Sequence, residues 1–162
     1  MSQSIAIKAV RDLSENDDTI IFDKMSTIVA DNNVRQLIFG GSRGGDTVAL
    51  FAALHLRDDV FKRTEDLNLV VVLPCKIINQ PVEAQSAIRC ANEIIELNKQ
   101  IKPENDWFAF KNCNREMVLK ASKVIGFWDC KSKESGTYDC MKTAIELKRP
   151  VEVVKLGVEK EE

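Results

Sequence analysis

Residues 35–54, RQLIFGGSRGGDTVALFAAL, join one apolar run to another through a glycine-rich turn. The run at 35–40 is too short and too apolar to be half exposed, which predicts a buried strand. Residues 47–56, TVALFAALHL, are apolar nearly all round a helix, which predicts a buried helix. A buried strand that turns directly into a buried helix is the building unit of a parallel sheet.

The alternation of strand and helix continues on both sides of this stretch. Residues 4–10 predict a first strand, and 17–31 predict a helix with apolar residues at helical spacing. The unbroken Val/Leu run at 67–74 predicts a central parallel strand, and 82–100 predict a long amphipathic helix. The other predicted elements are strands at 106–110, 123–129 and 150–156 and helices at 114–122 and 135–148. The sequence therefore predicts an α/β fold, a doubly wound, mostly parallel sheet of about six strands with helices on both faces.

Length and composition are those of one ordinary globular domain, with 162 residues, 44% of them hydrophobic and 30% charged. The formal net charge of −2 argues against a general nucleic-acid or membrane binder, since those usually carry a strong positive excess. No apolar stretch approaches the roughly 20 residues that cross a bilayer, and the first residues lack the long apolar centre of a signal peptide. We expect a single domain over 1–156, a charged tail over 157–162 and a cytoplasmic location.

The five cysteines predict neither a disulfide framework nor a metal site. They cannot all pair within one chain, none forms a CxxC motif, and the only histidine is His55. We expect His55 to be a packing residue at the end of the buried helix. The expected compartment is the reducing cytosol, and we expect no metal and no cofactor.

The turn at 40–46 lies where a parallel strand ends and a helix begins, the edge at which such sheets hold ligands. Glycines let backbone N–H groups approach an anion closely, and the helix start adds about half a positive charge. Arg43 offers a guanidinium to a phosphate or carboxylate. Asp46 either caps the helix or accepts a ribose hydroxyl. The alternative is a plain tight turn, with Asp46 as the cap and Arg43 in solvent.

A second stretch of the same kind opens the last predicted helix. Ser135, Gly136 and Thr137 follow the strand that ends at Trp128, and small residues with hydroxyls at a helix start form an anion site. The alternative is an ordinary Ser or Thr cap. Two such sites on one sheet edge predict a ligand with a phosphate and another polar group.

Three more side chains are expected at this edge. Arg11 follows the first strand, and Arg115 lies at a loop-to-helix junction. Trp128 ends a strand and is placed to stack on a base or sugar. The alternatives are surface charges for the two arginines and a core position for the tryptophan.

These stretches resemble the SLOG superfamily, and particularly its YspA-like branch. RQLIFGGSRGGDTVALFAAL resembles the GG[AS]RGxD loop of that branch, and NREMVLKASKVIGFWD resembles its RN-x-x-M segment and the strand that follows. SGTYDCMKTAIELKRPVEVV resembles the small-residue GT loop, helix and final strand that close the fold. AVRDL stands where relatives have a GSR-D pattern, so the resemblance spans roughly residues 4–156.

The resemblance implies a Rossmann-like fold that binds a nucleotide or nucleotide-derived ligand in the cleft between these loops. Members include DNA-processing proteins similar to DprA, cytokinin-activating phosphoribohydrolases, and sensor domains of antiviral immune systems that bind cyclic nucleotide or ADP-ribose-derived signals. Together, the residue patterns and the resemblance predict these ligand-binding residues: Arg11, Gly40, Gly41, Ser42, Arg43, Gly44, Gly45, Asp46, Arg115, Trp128, Ser135, Gly136 and Thr137.

The sequence departs from the family pattern at two places, and the first departure favours binding over hydrolysis. The phosphoribohydrolases have GGxGTxxE, and here Cys140 stands at the place of that glutamate. A thiol does not readily replace a carboxylate that stabilises an oxocarbenium-like sugar or activates water. Ala9 and Val10 replace a Gly-Ser pair of relatives, which makes the adjoining wall bulkier.

The leading hypothesis is therefore a binding module for a nucleotide-derived signal molecule. The alternatives are an N-glycosidase that uses Asp46, Glu116 or Asp139 as its carboxylate, and a DNA-handling protein similar to DprA. We expect a homodimer in which the apolar helix at 47–56 is covered by the partner.

Overall fold

Six parallel strands form one sheet in the computed structural model, which describes residues 2–99 and 107–157. In chain order the strands are β1 (Gln3–Ala9), β2 (Val34–Phe39), β3 (Asn68–Leu73), β4 (Glu93–Glu96), β5 (Lys123–Trp128) and β6 (Val151–Lys155). The described helices are α1 (Asp17–Ala30), α2 (Gly45–His55), α3 (Val82–Arg89), α4 (Trp107–Leu119) and α5 (Gly136–Glu146). The strands lie side by side in the order β4-β3-β2-β1-β5-β6, and every neighbouring pair is parallel. The predicted doubly wound α/β fold is confirmed.

Apolar side chains cover both faces of this sheet. Successive residues of a strand point to opposite faces, so Leu69 and Val71 of β3 join one core while Val70 and Val72 join the other. Buried residues of α1, α2 and α3 complete the first core, and those of α4 and α5 complete the second. The prediction that 67–74 form a strand covered on both faces is thus confirmed, although β3 lies next to an edge strand and β1 and β2 occupy the centre.

The long helix predicted at 82–100 is wrong beyond Arg89. The chain turns at Asn92, whose Oδ1 accepts hydrogen bonds from the Leu69 N–H at 2.9 Å and from Arg57 Nη1 at 2.6 Å. Ile94 and Ile95 then pair with β3 as the edge strand β4. These apolar residues thus belong to the edge strand of the sheet and not to a continued helix. Residue 100 lies outside the described chain.

The strand predicted at 106–110 is also wrong, and the helix predicted at 114–122 is only part of α4. Residue 106 lies outside the described chain, and Trp107 begins one helix that ends at Leu119. Ala109, Cys113 and Met117 recur every four residues and are buried against the sheet. This helical spacing outweighs the alternating aromatic residues that indicated a strand.

The strand order creates a crevice beside β1. The chain runs outward from β1 through β2, β3 and β4, and then returns to place β5 on the other side of β1. Where the connections after two neighbouring strands run to opposite sides of such a sheet, the loops after those strands move apart. Ligands bind between these loops, at the carboxyl ends of the strands. The fold therefore places a crevice between the ends of β1 and β5.

The outer face of α2 is open in this chain, which corrects the prediction of a fully buried helix. Phe51 is 47% exposed, and His55, one turn further on, is also exposed. The His55 ring lies 6.4 Å from that of Phe22, and its Nδ1 lies 3.0 Å from Asp59 Oδ2. His55 is thus a surface residue, and pairing of two chains through α2 stays a prediction.

None of the helices in the described ranges is both long and apolar enough to cross a membrane. Most of the predicted tail, 158–162, lies outside those ranges, and Gly157 donates its N–H to Asp17 Oδ1 at 2.8 Å. The single-domain boundary at 156 stays a prediction.

Candidate ligand-binding site

A cavity of about 540 Å³ opens at the crevice between the ends of β1 and β5. Its wall includes five of the predicted ligand-binding residues: Arg11, Ser42, Ser135, Gly136 and Thr137. Ser42 comes from the loop after β2, and Gly136 begins α5. The two predicted anion sites therefore meet at one cavity.

The start of α5 is fixed by hydrogen bonds on both sides. Ser135 is the N-cap, and its Oγ accepts from the Tyr138 N–H at 3.1 Å. Asn114 of α4 donates through Nδ2 to the Gly136 carbonyl and to Asp139 Oδ2, each at 3.0 Å. The first turn of α5 is thereby held against α4 at the cavity wall.

The Thr137 hydroxyl lies at this helix start without a partner among the described residues. The residue is 1% exposed, and its Oγ1 forms no hydrogen bond within residues 2–99 and 107–157. A buried polar atom left in this state costs about 1–3 kcal/mol. Thr137 lines the cavity, and the first turn of α5 brings the unpaired N–H groups of a helix N-terminus to the same wall.

Lys8 of β1 forms the cavity floor, and the sequence prediction missed it. Its Nζ lies 2.8 Å from Asp46 Oδ2, and both side chains are buried. The second oxygen of Asp46 accepts the Ala9 N–H at 2.8 Å. A Cβ added to Gly40 would lie 2.9 Å from Lys8 Nζ, and one added to Gly136 would lie 3.6 Å from Cε. The ammonium group therefore lies where the two glycine-containing segments converge.

Lys8 is a charged donor at neutral pH. Burial acts to lower the pKa of Lys8, but the negative charge of Asp46 and its hydrogen bond outweigh this and raise the pKa above the ordinary 10.5. Beside it, burial raises the pKa of the Cys113 and Cys140 thiols to about 12, so both are neutral. An ammonium has three protons, and one of them serves Asp46.

Two glycines after β2 are required because a larger side chain there would clash with the main chain of β1 and the loop after it. Gly44 has φ 78°, and a Cβ at this position would lie 1.9 Å from the Arg11 carbonyl oxygen. Gly45 donates its N–H to the Val10 carbonyl at 2.9 Å, and a Cβ there would lie 2.5 Å from the same oxygen. The turn is glycine-rich because the start of α2 packs directly against the end of β1.

Comparisons with solved structures place this arrangement among known folds. The chain is similar to DNA processing protein A from Helicobacter pylori, with 18% identity, a TM-score of 0.69, and 99% of this chain and 68% of that one covered. The chain is also similar to DNA processing protein A from Streptococcus pneumoniae, with 18% identity and a TM-score of 0.68. The similarity covers 97% of this chain and 52% of that one, so the chain spans about half of that protein. A third similar structure is the molybdenum cofactor binding protein from Rippkaea orientalis, with 17% identity, a TM-score of 0.63, and 96% of this chain and 77% of that one covered. These similarities show that the chain has a Rossmann-like α/β fold. No protein-family model and no curated protein matches the sequence.

The remaining predicted ligand-binding residues do not reach the cavity wall: Gly40, Gly41, Arg43, Gly44, Gly45, Asp46, Arg115 and Trp128. Arg43 and Arg115 point into solvent as exposed side chains. Trp128 packs on Tyr138 with ring centroids 5.4 Å apart, and its Nε1 donates to the Ser132 carbonyl at 3.0 Å. A direct role for these residues in binding stays a prediction.

The carboxylates considered for hydrolysis are engaged or turned elsewhere. Asp46 binds Lys8, and Asp139 accepts from Asn114. Neither of them, nor Glu116, lines the cavity. Cys140, at the position of the phosphoribohydrolase glutamate, is a fully buried thiol.

Aromatic and acidic side chains form the outer part of the cavity. Trp107 and Phe110 of α4 line it, and the Arg11 guanidinium lies 5.5 Å from the Phe110 ring centroid. Three carboxylates also line it: Asp12, Asp129 and Glu134. Hydrogen bonds from the Ser132 and Lys131 N–H groups lower the pKa of Asp129, which is therefore ionised at neutral pH. Sequence patterns missed Trp107 and Phe110 because they were assigned to a strand.

Proposed function

We propose that this chain binds a nucleotide or nucleotide-derived small molecule, with an anionic group of the ligand at the start of α5. The observation that carries the proposal is Thr137, a residue of the cavity wall whose buried hydroxyl is unpartnered in the described chain. Loss of a hydrogen bond at such an atom is costly in the free protein and is recovered when a ligand oxygen accepts from it.

Charge and backbone geometry at this point favour an anion. A helix N-terminus offers unpaired N–H groups and about half a positive charge. Lys8 adds an ammonium within reach of the same helix start, since its Cε lies beside Gly136. An anionic oxygen here would accept from the Thr137 hydroxyl, from the main chain and from Lys8.

The outer part of the cavity favours a planar ring. Trp107 and Phe110 present aromatic surface at the mouth, and flat heterocycles stack on such rings. The cavity volume of about 540 Å³ lies within the range of small-molecule sites. The solved structures of similar fold carry names that refer to a molybdenum cofactor or to single-stranded DNA, which supports ligand binding by this fold without specifying the ligand.

The small molecule is preferred over a nucleic-acid strand because of the lining charges. A protein that tracks a phosphate backbone presents a basic groove. This cavity instead carries three carboxylates at its mouth. Their repulsion disfavours a chain of phosphates but tolerates one anionic group on the floor.

Thr137→Val tests the proposal, because valine keeps the shape of threonine and removes the hydroxyl. In the wild type, at least one of AMP, ADP-ribose, NAD, a cyclic dinucleotide or a cyclic ADP-ribose isomer is expected to raise the Tm. Ligand at 100 times its Kd stabilises by about 2.7 kcal/mol. The variant is expected to bind about tenfold more weakly by calorimetry. Without ligand it is expected to be as stable as the wild type or slightly more stable, since it removes an unsatisfied buried group.

Thr143→Val is the matched control, on the same helix six residues beyond Thr137 and outside the cavity wall. It is expected to bind like the wild type. The proposal is contradicted if no ligand in the panel shifts the wild-type Tm, or if Thr137→Val and Thr143→Val bind equally well.

A further inference from the structure

The positive charge on the cavity floor is already balanced by the protein. Lys8 is the buried cation of the floor, and its Nζ lies 2.8 Å from Asp46 Oδ2. Both oxygens of Asp46 are engaged there, one with Lys8 and the other as the acceptor of the Ala9 N–H. The pair therefore offers hydrogen-bond donors to a ligand, while the pair itself carries little net charge.

The mouth of the cavity adds negative charge. Among the described lining residues, Asp12, Asp129 and Glu134 outnumber the one cation at the mouth, Arg11. Arg11 is in turn engaged with the ring of Phe110. A ligand that enters thus meets carboxylates first and a neutralised ion pair at the floor.

Such a site distinguishes anions by their charge. The donors on the floor, which are the Thr137 hydroxyl, the helix N–H groups and two protons of Lys8, can satisfy several anionic oxygens. The second charge of a dianion finds no unpaired cation on the floor, because Lys8 is already paired with Asp46, and three carboxylates are among the described residues that line the same cavity. Like charges repel more strongly in a partly buried site than in water.

Building on the proposed function, we propose that this cavity selects a phosphate group with a single negative charge over a phosphate monoester dianion. Phosphodiesters and the bridging phosphates of dinucleotides carry one charge each. The ligand class is therefore a nucleotide whose phosphate is esterified on both sides or linked to a second phosphate. A free terminal phosphate is the disfavoured group.

AMP and its 5′-phosphate methyl ester form the matched pair of probes, because they share base and ribose and differ by one methyl group and one charge. Near pH 8 AMP is a dianion, and near pH 5.5 it is largely a monoanion, since the second pKa of a phosphate monoester is about 6. With the wild type, the ester is expected to bind about tenfold or more tightly than AMP near pH 8. Near pH 5.5 the two are expected to agree within about threefold.

Asp46→Asn provides the second arm, because it removes the charge that neutralises Lys8 and keeps the shape of the side chain. The preference for the ester near pH 8 is expected to fall at least about fivefold in this variant. Asp23→Asn, an equal charge change at an exposed position of α1, is the control and is expected to keep the wild-type preference. If Asp46→Asn does not fold, the two wild-type pH values decide the matter.

The outcomes separate the two proposals. Equal or tighter binding of AMP near pH 8 overturns the charge selection and leaves the proposed function standing. A preference for the ester that is unchanged near pH 5.5 also overturns it, since the methyl group and not the charge would then be recognised. If neither probe binds at millimolar concentration and no other nucleotide of the panel shifts the Tm, the proposed function fails and the charge selection fails with it.

Discussion

Replacing Asp46 with alanine is expected to lower the free energy of unfolding by about 3–5 kcal/mol, because it leaves the Lys8 ammonium buried without its counter-charge. Lys8 and Asp46 are 2.8 Å apart and both buried, and the Ala9 N–H would lose its acceptor as well. Urea denaturation followed by circular dichroism near pH 7.5 gives the value. Asp23→Ala, an exposed carboxylate on α1, is the control and is expected to change stability by less than about 0.5 kcal/mol.

The pH dependence of this pair has a definite sign. The pKa of Lys8 is raised in the folded protein, because the charge of Asp46 and its hydrogen bond outweigh the effect of burial. Its stabilising contribution is therefore complete below the ordinary lysine value of 10.5 and disappears as the pH rises through the folded pKa. In Asp46→Ala burial alone acts on Lys8 and lowers its pKa, so the loss of stability is expected to be largest near pH 7 and to shrink as the pH rises towards 10.5. A loss below about 1 kcal/mol near pH 7, or a loss that grows as the pH rises, would contradict the ion pair as described.

Gly44→Ala is expected to cost about 3 kcal/mol or more, through backbone strain and a steric clash together. Gly44 has φ 78°, and the added Cβ would lie 1.9 Å from the Arg11 carbonyl oxygen. Gly157 is the matched control, with φ 72° and a nearest atom 4.0 Å from the added Cβ. Gly157→Ala carries the strain without the clash and is expected to cost about 1–2 kcal/mol in the same urea experiment. Equal losses in the two variants would show that contact with β1 does not explain the glycine.

The sequence predicts the sheet well where strands are continuous apolar runs. β2 and β3 are buried on both faces, so their composition alone separates them from surface segments. β4 escapes prediction because Glu93–Glu96 is four residues long and follows the pattern of the preceding helix. Its conformation is decided by pairing with β3, which is a contact that local spacing does not contain.

The candidate site is predictable in its backbone and not in its charges. Small residues before a helix identify Ser135, Gly136 and Thr137 in the sequence itself. Lys8 carried one local signal, a charged residue within an apolar strand, but its partner Asp46 is 38 positions away. Only the packing of α2 against β1 brings the two side chains together. The structure thus gives Asp46 a contact that the sequence did not predict, the ion pair with a buried lysine, while its role in ligand binding stays a prediction.

The backbone amide resonances of Gly136 and Thr137, followed by NMR during titration with the methyl ester of AMP, test the central claim most directly. Both residues line the cavity at the start of α5, whereas the Gly45 N–H is already bonded to the Val10 carbonyl and serves as an internal reference. An anion at the helix start is expected to move the Gly136 and Thr137 resonances by the largest amounts and to leave that of Gly45 nearly unchanged. Saturable binding that leaves Gly136 and Thr137 unmoved would contradict the claim.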